Sequence, residues 1–157
     1  MRSLFLLALL ALAPALRAAD LKLVRVWPEY RTADSFARIS EYFGGPENTS
    51  GQTVLRSQPA DRAGFYFLVR TETKAAIAGA HIELQLLLPG IEQPKKFSFP
   101  AAIPAGSHVT LTGVTGADWP GEKTAPVAWR LSVLATDGTL LAEEKSFLWT
   151  RPVPAKK

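Results

Sequence analysis

The 157-residue chain carries two histidines, His81 and His108, and no cysteine, which narrows the chemistry open to it. A serine-type hydrolase needs a nucleophile, a histidine base and an orienting carboxylate brought together, and no Gly-x-Ser-x-Gly turn is present to expose a serine. Both histidines fall at outward positions of predicted strands, the place of ordinary surface imidazoles. Two scattered histidines and irregularly spaced carboxylates do not make a zinc set. The chain has no EF-hand loop, phosphate loop or dinucleotide fingerprint either. Glu143 and Glu144 are adjacent, but neighbours on a strand point to opposite faces and cannot share one acid/base task. The expectation is a non-enzymatic protein with no catalytic residue, no metal ligand and no cofactor.

Aromatic residues beside prolines offer a different chemistry. Trp27-Pro28-Glu29-Tyr30 and Asp118-Trp119-Pro120-Gly121 place large rings at the ends of predicted strands, where exposed rings can stack on sugars. Trp27, Tyr30 and Trp119 are therefore the candidate ligand-binding residues for a polysaccharide. The competing reading folds Trp119 back as a lid over one open end of a sandwich core. A tryptophan buries a large apolar area, and a chain without cysteine has no disulfide to hold it. Asn48-Thr49-Ser50 matches the N-glycosylation acceptor pattern in a polar loop, which matters only in a eukaryotic source.

The N-terminus reads as an address. Met1-Arg2 is a short positive start, Leu4 to Leu16 form an apolar run broken by Pro14, and Ala18 and Ala19 are small. That is the layout of a secretory signal peptide. The run is shorter than the roughly 20 residues of a membrane helix, and no second run of its length follows, so no membrane span is expected after signal removal. Cleavage after Ala18 leaves Leu16 three places upstream and fits better than cleavage after Ala19, which would put Arg17 there. The chain thus divides into a signal peptide (1–18), a single domain (19–151) and a Pro/Lys tail (152–157), bound for a secreted or periplasmic location. Of 18 lysines and arginines, Arg2 and Arg17 leave with the signal, so 16 face 14 acids for a formal charge of +2. Both signs are interspersed, without the basic stripe of a nucleic-acid binder.

Period-two alternation dominates after residue 64 and predicts strands with one dry and one wet face. Ile82, Leu84, Leu86 and Leu88 form one dry face, Phe97 and Phe99 a second, Val109 and Leu111 a third, and Val127, Trp129, Leu131 and Val133 a fourth. Asp137-Gly138 marks a hairpin. A three-residue loop, Thr136 to Gly138, sets Arg130 across from Glu144, whereas a two-residue loop opposes Arg130 to Lys145, an unfavourable like-charge pair. The three-residue loop is predicted, with Trp129 and Trp149 on the core side. Nearer the start, Leu21 to Trp27 reads as a strand ended by Pro28, and Thr53 to Ser57 as a short strand. Thr32 to Ser35 followed by Phe36, Ile39 and Phe43 and then Gly44-Gly45 predicts one short helix, with Arg38 and Glu41 as a solvated pair on it. The fold class is all-β: an antiparallel β-sandwich of seven to eight strands plus that short N-terminal helix.

VAWRLSVLATDGTLLAEEKSFLW, with its tryptophan-bearing strand, Asp-Gly turn and closing strand, resembles the last two strands of immunoglobulin-like and fibronectin type III-like sandwiches. The resemblance is to the superfold and implies no activity. DRAGFYFLVR, residues 61–70, is similar in spacing to the tyrosine corner of antibody-type domains, but Phe65 stands where the tyrosine would be, and at least five strand candidates follow. It reads instead as a central strand after a turn at Pro59-Ala60-Asp61, with Phe65, Phe67 and Val69 on one face and Tyr66, Leu68 and Arg70 on the other. Tyr66 and Arg70 are the candidate partner-binding residues. The function expected is binding or assembly with a protein partner in the envelope or outside the cell, the alternative being a carbohydrate-binding module.

Overall fold

The alternating runs become eight strands in a computed structural model that describes residues 20–150; the signal-peptide and tail assignments lie outside the described residues. They are β1 (Leu21–Arg31), β2 (Thr53–Arg56), β3 (Gly64–Thr73), β4 (Ile77–Leu87), β5 (Lys95–Ile103), β6 (Gly106–Thr115), β7 (Ala128–Leu134) and β8 (Leu140–Lys145). One sheet has the order β1-β3-β6-β2 and the other β5-β4-β7-β8. Neighbours are antiparallel except β2, which runs parallel to β6. β3 is central, between β1 and β6, and follows a turn closed by the Asp61 amide donating to the Gln58 carbonyl at 3.1 Å.

The sandwich core is built from the predicted dry faces of most strands. Ile82, Leu84, Leu86, Phe99, Leu131 and Val133 of the second sheet meet Val26, Phe65, Phe67, Val69 and Val114 of the first. β1 runs through Pro28 and does not stop before it, because it pairs with β3 alone among the described residues, and an edge strand tolerates a missing amide. β6 departs from expectation in its faces. Val109 and Leu111 pair across from Arg70 and Leu68 on the outer side of the sheet, while Thr110 and Thr112 turn into the sandwich beside Val69 and Phe67. His108 shares that inward register, opposite Thr71, and its Nε2 lies 3.1 Å from the Thr53 hydroxyl. The alternation misleads here because β6 is buried on both sides, so either set of residues can face inward.

Two further expectations fail for local reasons. No α-helix forms among the described residues: Ala33–Phe36 and Ile39–Phe43 are separate 3₁₀ turns, broken by extended backbone at Ala37 and Arg38. Phe36 is buried, while Ile39 and Phe43 of the same apolar stripe stay outside. In the last hairpin, Arg130 does face Lys145. The turn nevertheless has the three-residue form: the Ala135 amide donates to the Thr139 carbonyl at 2.8 Å, and Gly138 is left-handed at φ 83°. A bulge follows at once, between the Val133–Ala142 and Leu134–Leu140 pairs, and shifts the register back by one. Leu131 then faces Glu144, whose carboxyl burial pushes above its ordinary pKa. Glu143 sits near both cations, 4.0 Å from Arg130 and 3.6 Å from Lys145, which relieves the like-charge pair. The closing strand ends at Lys145. Ser146 bonds to both backbone groups of Trp129, and Phe147–Thr150 coils as a 3₁₀ turn with Trp149 under the Arg130 guanidinium and outside the core.

Thr112 is fully buried, and its hydroxyl finds no partner among the described residues. Replacing a buried, unpaired hydroxyl with a methyl removes a desolvation cost. Thr112→Val is expected to raise unfolding stability by about 1 kcal/mol, read from the urea midpoint at constant slope; a loss of stability would show that the hydroxyl is satisfied.

Candidate partner-binding face

The outer side of the first sheet is where the predicted partner residues lie, and it divides into a covered half and an open half. The covered half is organised by Tyr66, whose ring lies over Gly113 on the next strand; a Cβ at position 113 would overlap its ring carbons. Phe36 packs on the ring at 5.1 Å, and Val54, Leu68 and Leu111 complete a second apolar cluster. Tyr66 is therefore 0% exposed and is no surface contact for a partner. Its hydroxyl donates to the Arg62 carbonyl at 2.7 Å, four residues upstream, and accepts from Arg56 Nε at 2.8 Å. That is a corner-type bond closed one position later than the motif spacing suggests. It forms because the loop before β3 curls over the outer face, toward which Tyr66 points.

Ion pairs staple the segment between β1 and β2 onto this cluster. Arg56 grips Glu47 with two bonds, at 2.9 and 3.1 Å, and its guanidinium lies over the Phe36 ring at 4.7 Å. Burial pulls the Arg56 pKa down, but the bonds to Glu47 and Tyr66 outweigh it and the group sits above the ordinary arginine value. Arg62 reaches both Glu47 (3.0 Å) and Glu41 (2.7 Å). Glu41 also accepts from the Arg38 amide, so its charge partner is Arg62 and not the Arg38 side chain. The Arg62 bond, followed by that amide bond, holds the Glu41 carboxyl below its ordinary pKa against burial. Asn48 lies in the same segment, its amide bonded to the Phe36 carbonyl and its side chain accepting from Ser50.

The open half lies nearer the start of β1. Arg25 stands directly across from Arg70, and one rung on Trp27 stands across from Leu68. These four line a shallow depression of about 320 Å³. Trp27 is 49% exposed, and the Arg25 guanidinium covers it at 4.4 Å from the ring centroid. Among the described residues neither Arg25 nor Arg70 has an ion-pair partner. Arg25 could not be singled out from sequence, because its pairing with Arg70 depends on a bulge between Leu23 and Arg25.

The three rings named for sugar stacking are not brought together. Trp27 faces outward, Tyr30 is on the opposite face of β1 and packs against the core, and Trp119 is 6% exposed. Trp119 stacks on Phe65 at 4.8 Å, and its indole N–H donates to the Gly121 carbonyl at 3.0 Å, so it is a lid on the core. The four sheet edges are guarded against strand addition: Lys95, Lys96 and Pro100 on β5, a charged six-residue β8, a four-residue β2, and a bulge with Pro28 on β1. Among the described residues no three His, Asp or Glu side chains gather as a metal-binding group.

Strands β1-β3-β6 against β5-β4-β7-β8, with hairpins β4–β5 and β7–β8 confined to the second sheet, define an immunoglobulin-like β-sandwich to which β2 is added at one edge. A solved structure of an immunoglobulin-like protein from Pseudomonas aeruginosa is similar, with 20% sequence identity over 82% of this chain and 96% of that one and a TM-score of 0.33. No family model and no curated protein sequence matches the chain.

Tyr66→Phe removes a buried hydroxyl that serves two partners, and is expected to cost about 1–2 kcal/mol; Gly113→Ala overpacks the same spot and is expected to cost at least as much. A chevron or urea series in which both variants match the parent would refute the Tyr66 anchor. Because the folded pKa of Glu41 is depressed, its contribution is present above the unfolded value and is lost as pH falls through the folded one. Hydrogen exchange at residues 33–49 is expected to accelerate below about pH 4 relative to β3 and β4, and Glu41→Gln to show the faster exchange at every pH.

Proposed function

We propose that this protein is an exported, non-catalytic β-sandwich that acts by binding or assembly with a protein partner in the envelope or outside the cell. The observation that carries the reading is the open half of the first sheet's outer face, where Trp27 and Leu68 lie exposed or half-buried beside two arginines that have no counter-charge among the described residues. An exposed tryptophan with flanking arginines is the composition of an interface hot spot. Export rests on the signal-like N-terminus, and the absence of catalytic function on the lack of any convergent nucleophile–base pair in the sequence. Of the face first named by Tyr66 and Arg70, the Arg70 end is the accessible one.

Carbohydrate binding is less well supported. It needs ring faces free for stacking, and Trp27, the exposed ring of the three, already carries Arg25 on one side. A photo-crosslinking residue placed at position 68 in the exported protein is expected to yield one discrete protein adduct, and the same residue at position 98 on the other sheet none. Mass analysis of the adduct is expected to show the chain starting at Ala19. No adduct at position 68, or quenching of tryptophan fluorescence by a neutral polysaccharide panel, would overturn this reading.

A further inference from the structure

Two arginines directly opposed on an antiparallel pair have Cβ atoms about 5 Å apart, a destabilising arrangement for like charges. Arg25 and Arg70 hold that position, whereas other charges on this side of the sheet stand beside or across from opposite ones. Arg31 is paired with Glu29 at 2.5 Å, and Glu72 stands across from Lys22. Glu72 lies two residues along from Arg70, yet makes no ion pair with either arginine. The Trp27 ring steadies the Arg25 guanidinium, whose donor fork has no ion-pair partner among the described residues. A planar fork fixed in place is suited to a carboxylate held by two bonds.

We propose, resting on the partner-binding reading above, that the Arg25–Arg70 pair and the Trp27–Leu68 pair together dock an acidic, extended segment of a partner protein, in which a carboxylate side chain is followed two residues later by an apolar one. The spacing comes from the sheet. The two pairs sit on adjacent same-face rungs, two residues apart along each strand, which separates them by about 6–7 Å. An extended partner repeats its same-side residues at that distance. The carboxylate bridges the arginines and cancels their repulsion, while the apolar side chain enters the depression between Trp27 and Leu68. A sugar acid would supply the charge but would need the ring face that Arg25 occupies. An anionic bilayer would favour a ring free of its neighbours over one covered by an arginine, on a sheet face that also carries Glu72.

The test is ¹⁵N NMR of the protein with a blocked peptide, Ser-Glu-Ser-Leu-Ser-Glu-Ser, and its Gln counterpart as probes. The Glu peptide is expected to shift the Trp27 indole signal and the Arg25 and Arg70 side-chain signals. Affinity should fall at least about tenfold for the Gln peptide, a loss of about 1.4 kcal/mol, and fall again with added salt. Arg70→Gln is expected to weaken binding while raising Tm, since it removes the like-charge pair; a merely structural arginine would lower Tm. Equal shifts with both peptides, shifts confined to Ile39–Phe43, or a response of the patch to trigalacturonate or to phosphatidylglycerol vesicles and not to the peptide would each overturn the proposal. If the crosslink at position 68 forms but is indifferent to salt and to Arg70→Gln, the partner-binding reading stands and the acidic specificity fails.

Discussion

The packing of the Tyr66 ring across Gly113 is the contact on which the organisation of this sandwich's outer surface depends. A β-sandwich ordinarily buries one face of each sheet and leaves the other wet. Here a residue without a side chain on β6 lets a tyrosine on β3 lie flat, and the flat ring becomes a floor for Phe36. Once Phe36 is seated, the chain between β1 and β2 must cross the outer face, and Arg56, Glu47, Arg62 and Glu41 close over it. The outcome is a second small core on the outside of the first sheet, bonded through the Tyr66 hydroxyl to the loop that starts β3.

This second core also accounts for β2. A four-residue strand parallel to β6 has few ladder bonds of its own, but it carries Val54 into the outer cluster, Leu55 toward the inner one and Arg56 into the ion-pair group. Three successive side chains thereby tie both faces of the sheet to one edge. The segment before it contributes Phe36 to that cluster and leaves Ile39, Tyr42 and Phe43 at 80, 90 and 87% exposure. On the far side of Leu68 the cover stops, and the bare part of the sheet begins. The boundary between a stabilised half and an available half is thus set by how far one loop reaches.

The second sheet shows the opposite economy. Its outer side is a lattice of short-range polar contacts: Glu83 with Lys96 and Gln85, Gln85 with Arg130, and Glu143 between Arg130 and Lys145. Most of the charges named there have an opposite charge or an amide beside them within the sheet, although Arg130 Nε itself lies buried without a hydrogen-bond partner among the described residues. On the first sheet's outer face, by contrast, two like charges, Arg25 and Arg70, stand directly opposite one another, and among the described residues neither has an ion pair.

By itself the sequence determined the strand content, the central place of residues 64–73, the inward set of Ile82, Leu84, Leu86, Phe99, Leu131 and Val133, and the three-residue turn at Gly138. Each follows from a local period or a local turn residue, which act within a few positions of the chain. Tertiary structure alone decided the burial of Tyr66, the inward turn of Thr110 and Thr112, the parallel edge strand, and the bulge that set Arg130 against Lys145. Those depend on what covers a face or pairs with a strand from far away in sequence, and alternation is silent when both faces are covered. The candidate site shows the same division. Trp27 and Arg70 stand out as residue types, but their conjunction with Arg25 and Leu68 arises from strand pairing across more than forty residues and a one-residue bulge. Periodicity names the face of a strand; only the neighbouring strand decides which charges share it.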